Sequence, residues 1–177
     1  PNVHIKVTNQ TSIACAKLLE SGQVDFAITN YPNSGLSNTQ NVRIIREFKD
    51  VFVANDEYKE LKGKTVSLKD LKQFPILMLD RKSTTSEFLH SMFQRHQLDL
   101  VPEIELSSND LLIDLARIGL GIAFVPDYCI SPDSEDVFIL HTKEELPERE
   151  LAIAYNEHLP LSRASMEFLS YFRDKTC

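Results

Sequence analysis

The sequence predicts an α/β fold, and three observations carry that prediction. Leu18 to Asn30 reads as a helix end, a glycine stop and a short strand. Gly22 stands where a left-handed residue closes a helix, and Val24 to Ile28 is nearly all apolar, as in a parallel strand covered on both faces. Apolar runs of strand length then alternate with helical patterns along the chain. Polar residues collect just beyond the strands, Thr29 and Asn30 first among them, at the carboxyl edge where open α/β sheets hold ligands.

Val3, Ile5 and Val7 alternate with His4, Lys6 and Thr8, the pattern of a half-buried strand over residues 3–8. Asn9 to Ser12 supplies capping residues for a helix over about 12–21, with Cys15, Leu18 and Leu19 on one face. Tyr31 to Asn38 is rich in turn formers and reads as a loop. Strands follow at Val42 to Phe48 and Val51 to Ala54, then an exposed connection over 55–66 and a short helix opened by Ser67 with Asp70. Pro75 to Leu79 is a buried strand. Thr84 with Glu87 forms a capping box for a helix whose apolar face is Phe88, Leu89, Met92 and Phe93.

Residues 102–107 form a strand with Glu103 and Glu105 outward, leading through Ser107, Ser108 and Asn109 into a helix with Leu111, Leu112 and Leu115 inward. Gly119 and Gly121 end it, and Ile122 to Val125 is a strand halted by Pro126. Strands at Val137 to His141 and Leu151 to Tyr155, joined by a charged connector over 143–150, precede a last helix from Ser162 that presents Phe168, Leu169 and Phe172 on one side. In all, about eight strands alternate with four or five helices, an architecture of one or two compact lobes.

Composition narrows the function. The chain has 177 residues, 42% of them hydrophobic, enough for a real core. No run approaches the roughly 20 apolar residues of a membrane helix, and no signal peptide is visible at the first residues. A net charge of −7, with 19 scattered basic residues, argues against direct nucleic-acid contact. Cys15, Cys129 and Cys177 are odd in number and lack CxxC spacing, which opposes a disulfide framework or zinc site and favours a reducing cytoplasm.

Catalytic signatures are sparse. Neither GxGxxG nor GxxxxGK[ST] nor GxSxG occurs. His90 and His96 are six positions apart, about 240° around a helix, so they do not converge on a metal. Cys15 falls on an apolar helix face and reads as a structural thiol rather than a nucleophile. We therefore expect no catalytic residue, no metal and no cofactor. Small polar residues instead cluster at helix starts and strand ends: Thr11-Ser12, Thr29-Asn30, Ser83-Thr84-Thr85 and Ser107-Ser108-Asn109. Each can be an ordinary cap, and helix-start N–H groups also bind anions such as carboxylates. Arg81 and Lys82 could assist or simply face solvent.

Five motifs then carry a family resemblance: Pro1-Asn2-Val3-His4-Ile5, Leu19-Glu20-Ser21-Gly22-Gln23-Val24-Asp25-Phe26-Ala27-Ile28, Val66-Ser67-Leu68-Lys69-Asp70-Leu71, Ile118-Gly119-Leu120-Gly121-Ile122-Ala123-Phe124-Val125-Pro126 and Leu161-Ser162-Arg163-Ala164. In this order and at these separations they resemble the effector-binding domain of LysR-type transcriptional regulators, which is similar to type 2 periplasmic binding proteins. The resemblance implies two Rossmann-like lobes with a central cleft. Lobe I would hold 1–53 and 153–177, lobe II 54–152.

The resemblance also implies an opening strand and helix and an N-terminal winged helix-turn-helix, which the sequence from Pro1 onward does not include. The resemblance therefore implies a fragment whose lobe I lacks its first strand and helix and which meets DNA only through that absent domain. It further implies a small-molecule effector, in the simplest case a carboxylate, bound by Thr11, Ser12, Asn30, Ser83, Thr84, Thr85, Val125 and Pro126, and a homodimer or tetramer at full length. The alternatives are a transport-type solute-binding protein and an enzyme acting on a small acid on the same lobes.

Overall fold

A computed structural model describes residues 3–132 and 134–172. Cys177 and the first two residues of the opening motif lie outside them. The chain is α/β, as the alternation of patterns predicts, and it divides into two compact units, Pro1–Glu47 with Glu150–Cys177, and Phe48–Arg149. The divisions fall earlier than the expected crossings near 53 and 152. Strand β3 (Asp50–Ala54) pairs with β7 (Ile122–Pro126) from Asp50↔Pro126 to Val53↔Ala123, which commits it to the second unit.

The first unit is built on a three-stranded sheet of order β1-β10-β2, comprising Phe26–Tyr31, Arg149–Asn156 and Gln40–Phe48. Helix α1 (Ser12–Glu20) lays Leu19 on Ala27 and Ala154, with Cys15, Val24, Leu36 and Val42 packed around them. The last helix, α5 (Arg163–Ser170), is capped by Ser162. It stacks Phe168 on Phe26 at 4.8 Å and donates a hydrogen bond from Ser165 to Asp25.

Two strand expectations fail in this unit. Residues 3–8 form no strand, and Ile5 and Val7 are 82% and 84% exposed. Alternation decides only which side of a strand would face a core; the strand itself needs a neighbour's hydrogen-bond ladder, and the described residues offer none. β1 is not a parallel strand covered on both faces. It lies at the sheet edge, antiparallel to β10 from Phe26↔Tyr155 to Tyr31↔Glu150, with Ile28 exposed.

The second unit centres on a five-stranded sheet of order β6-β5-β7-β3-β8, adding Ile104–Leu106, Ile76–Leu79 and Phe138–Ile139 to the strands above. β5 runs parallel to β6 and β7, whereas β3 is antiparallel to β7 and β8. Because successive strand residues face opposite ways, the core is split between the two faces. Phe52, Met78 and Phe124 pack with Leu89, Met92 and Phe93 of α3 (Thr84–Arg95). Val53, Leu77, Ala123 and Val125 pack with Leu112, Ile113 and Ala116 of α4 (Asn109–Arg117).

The short helix α2 (Leu68–Leu71) opens on Ser67, as predicted, and a two-stranded parallel pair joins β4 (Thr65–Val66) to β9 (His141–Thr142). Gly119 takes φ +81° to close α4. At Gly121 a Cβ would lie 2.5 Å from the Pro75 carbonyl, so only glycine allows β7 to meet β5 there.

Three local expectations shift. The cap of α3 is Ser83 rather than Thr84, since the Ser83 hydroxyl accepts from the Ser86 amide. The inward face of α4 is Leu112, Ile113 and Ala116, with Leu115 packed at its margin and Leu111 exposed, because packing on the sheet turns the helix toward Ile113 and Ala116 rather than toward the leucines. The strand expected over 137–141 is interrupted between β8 and β9, whose partners belong to different sheets.

Candidate functional site

The hydroxyl clusters separate by unit. In the first, Thr11 caps α1, its hydroxyl accepting from the Ala14 amide at 3.4 Å. Ser12 reaches β1: its hydroxyl accepts from the Asn30 amide at 3.0 Å, and its carbonyl accepts from the Asn33 side chain at 2.8 Å. Thr11, Ser12 and Asn30 are therefore neighbours, brought together because α1 packs on the strand that carries Asn30. Beside Asn30, the Thr29 hydroxyl is buried without a hydrogen-bond partner.

In the second unit Ser83, Thr84 and Thr85 are only 2%, 4% and 1% exposed at the start of α3. Ser83 satisfies the Ser86 amide, one of the donors a helix start leaves open. Val125 and Pro126 are buried at the end of β7, in ladder register with Val51 and Asp50. The Val125 side chain packs into the α4 face of the core.

Two residues central to this region escaped the sequence reading. Asp50 is fully buried and ion-paired with Arg149, itself 5% exposed. Arg149 Nη1 donates to Asp50 Oδ2 and also to the Thr85 hydroxyl, the second at 3.3 Å. Its guanidinium lies 5.3 Å from the ring centre of Phe48 and 5.1 Å from that of Phe88, within cation–π range of both. Burial pushes the Asp50 carboxyl up from its ordinary value, Arg149 pulls it down, and Asp127 adds to the rise. The sequence holds no local signal for the pair: 99 positions separate its members, and Arg149 sits in a run of charges that reads as a solvated connector.

Arg81 and Lys82 face outward, Arg81 pairing with Glu105 at 3.7 Å. Cys15 is half-buried, its thiol donating to the Gln10 carbonyl at 3.6 Å, and burial raises its pKa. Among the described residues no group of three or more His, Cys, Asp or Glu is placed to hold a metal, and no helix is long and apolar enough to cross a membrane. Buried hydroxyls beside a helix start and a guanidinium suit non-covalent recognition of a polar, anionic group.

Comparison with known proteins bears on the family and the fold. A sequence model described as the LysR substrate binding domain matches residues 1–177. The transcriptional regulator BsdA of Bacillus subtilis is 26% identical over 128 residues, which is 71% of this chain and 43% of that protein. The chain thus spans less than half the length of that relative. Among solved structures, the regulatory domain of CcmR from Synechocystis in complex with 2-PG superposes with a TM-score of 0.79 at 20% identity, covering 92% of this chain and 78% of that one. The effector binding domain of QuiR in complex with shikimate gives a TM-score of 0.79 at 17% identity, covering 91% and 76%. At these identities the structural likeness establishes the fold.

Proposed function

The chain belongs to the LysR substrate binding domain family, and on that premise we propose that it is the small-molecule-sensing part of a transcriptional regulator. Its effector is a small anionic metabolite, a carboxylate in the simplest case. Taken unit by unit, the residues offered for binding are Thr11, Ser12 and Asn30 in the first, and Ser83, Thr84 and Thr85 with Val125 and Pro126 in the second. The observation that carries this reading is the family match over all 177 residues. The two solved neighbours that hold 2-PG and shikimate support a small polar ligand.

The ligand acts by population shift. It changes the protein's state only to the extent that it binds one conformation better than another; tight binding to both would transmit nothing. In the intact regulator, which works in the cytoplasm as a homodimer or tetramer, that shift alters contact with DNA made by a separate N-terminal winged helix-turn-helix. The domain itself binds and does not catalyse.

The test is a melting-temperature screen against small carboxylates and phosphates, with shikimate among them. A binder raises the melting temperature of the native chain, and Thr84→Leu removes that rise while the ligand-free protein keeps its circular dichroism spectrum. An undiminished rise in Thr84→Leu would take the α3 start out of the site.

A further inference from the structure

The Asp50–Arg149 pair is unusual for a purely structural contact. Replacing a buried ion pair with well-packed apolar residues of like volume is often neutral or stabilising, so burial alone does not account for one. Nor is this pair fully satisfied: Asp50 Oδ1 is buried without a hydrogen-bond partner, as is Oδ1 of nearby Asp127. The unit thus keeps a cation in place on an incompletely satisfied counter-ion. What the cation touches next is Thr85, at the start of α3, and the rings of Phe48 and Phe88 both lie within cation–π range of its guanidinium.

The geometry points to Arg149 as a specificity-determining residue of the effector site: anchored by Asp50 and within cation–π range of two aromatic rings, it holds Thr85 and favours a ligand that places an anionic group at the Ser83–Thr85 turn. This rests on the sensing reading above and deepens it by naming what selects the charge of the ligand. A guanidinium carries five N–H donors in a rigid fork, and the bonds to Asp50 and Thr85 both run through Nη1. In a site this buried, a positive charge is weakly screened and reaches the adjacent turn. The N-terminus of α3, a helix of 12 residues, adds a field of the same sign. Asp50 opposes both, so it restrains anion affinity while it fixes the position of Arg149.

The experiment measures binding of shikimate and of its neutral methyl ester by calorimetry. The native chain is expected to prefer the acid by about tenfold or more, the scale of one hydrogen bond to a charged group. The double variant Asp50→Asn/Arg149→Gln removes both charges together, so that neither is left buried alone. It is expected to bind acid and ester within about twofold of each other, the scale of less than one charged hydrogen bond. Asp50→Asn alone leaves Arg149 uncompensated, and acid affinity is expected to rise while ester affinity stays level.

A double variant that keeps the native preference for the acid overturns the inference and makes the pair structural. If that variant does not fold, Asp50→Asn decides, and unchanged acid affinity overturns the inference. A native chain that binds acid and ester alike removes the role of Arg149 and leaves the sensing reading standing. A native chain that binds neither, with no melting shift from any carboxylate or phosphate in the screen, ends both.

Discussion

Two helices in this protein open on the same chemistry and meet different surroundings. α1 starts at Thr11-Ser12, half-exposed, and α3 starts at Ser83-Thr84-Thr85, buried. At α1 both hydroxyls serve the local backbone, Thr11 closing the helix start and Ser12 tying it to Asn30. At α3 one hydroxyl is enough for the cap, and Thr85 meets a guanidinium that arrives from the far end of the unit. A run of serine and threonine before a helix is therefore ambiguous by itself. What lies behind the run decides whether it serves as a cap alone or also meets another side chain.

The sharpest way to break the contrast is to remove the cation alone. Arg149→Ala leaves Asp50 buried and unpaired, and urea denaturation should show a loss of about 3–5 kcal/mol, the cost of breaking a buried pair from one side. A loss below about 1 kcal/mol, the scale of an exposed pair, would mean that water reaches Asp50 and that the two helix starts are less different than their burial implies.

A second comparison weighs the caps themselves. Ser83→Ala removes a 3.1 Å bond inside the core and should cost about 1 to 2 kcal/mol. Thr11→Ala removes a 3.4 Å bond at a half-exposed site and should cost about 0.5 kcal/mol, the low end for caps. Equal losses on denaturation would show that burial does not separate the two starts.

The smallest effect leaves the fold untouched. Burial, then Asp110, Asp50 and Asp127, push the Cys129 thiol up to about 11. The thiolate is the reactive form, so at pH 8 only about one molecule in a thousand presents it, and alkylation should quicken roughly tenfold per pH unit until the pH nears that value. Asp110→Asn, at an exposed position, removes the first of these charges and should speed labelling at pH 8. An ordinary rate in the native chain, levelling off near pH 9, would show that water reaches the Cys129 thiol.

Much of the fold was legible because it depends on neighbours in sequence. Ser67 and Ser162 announce their helices since a cap and the amide it satisfies lie three residues apart, and Gly119 marks the end of α4 for the same reason. The buried strand at Ile76–Leu79 is visible because every residue of it is apolar. The site was half legible. Ser83, Thr84 and Thr85 stand out as a cluster, and so do Thr11 and Ser12, yet the same letters serve as caps and as contacts. Leu111 was misplaced because Ile113 and Ala116, not the leucines alone, meet the sheet, and only packing decides which stripe of a helix turns inward.

Composition, periodicity and capping chemistry thus determined by themselves that this chain is α/β, where most of its helices begin and end, and which hydroxyl clusters were worth watching. Tertiary structure alone decided that Val3, Ile5 and Val7 meet no partner strand among the described residues, that β1 is an antiparallel edge, and that Asp50 and Arg149 meet beside Thr85 across 99 positions. The reason is the range of the forces involved. A helix cap closes within one turn of chain, whereas a β ladder and a buried charge both need a partner that only the folded molecule brings near.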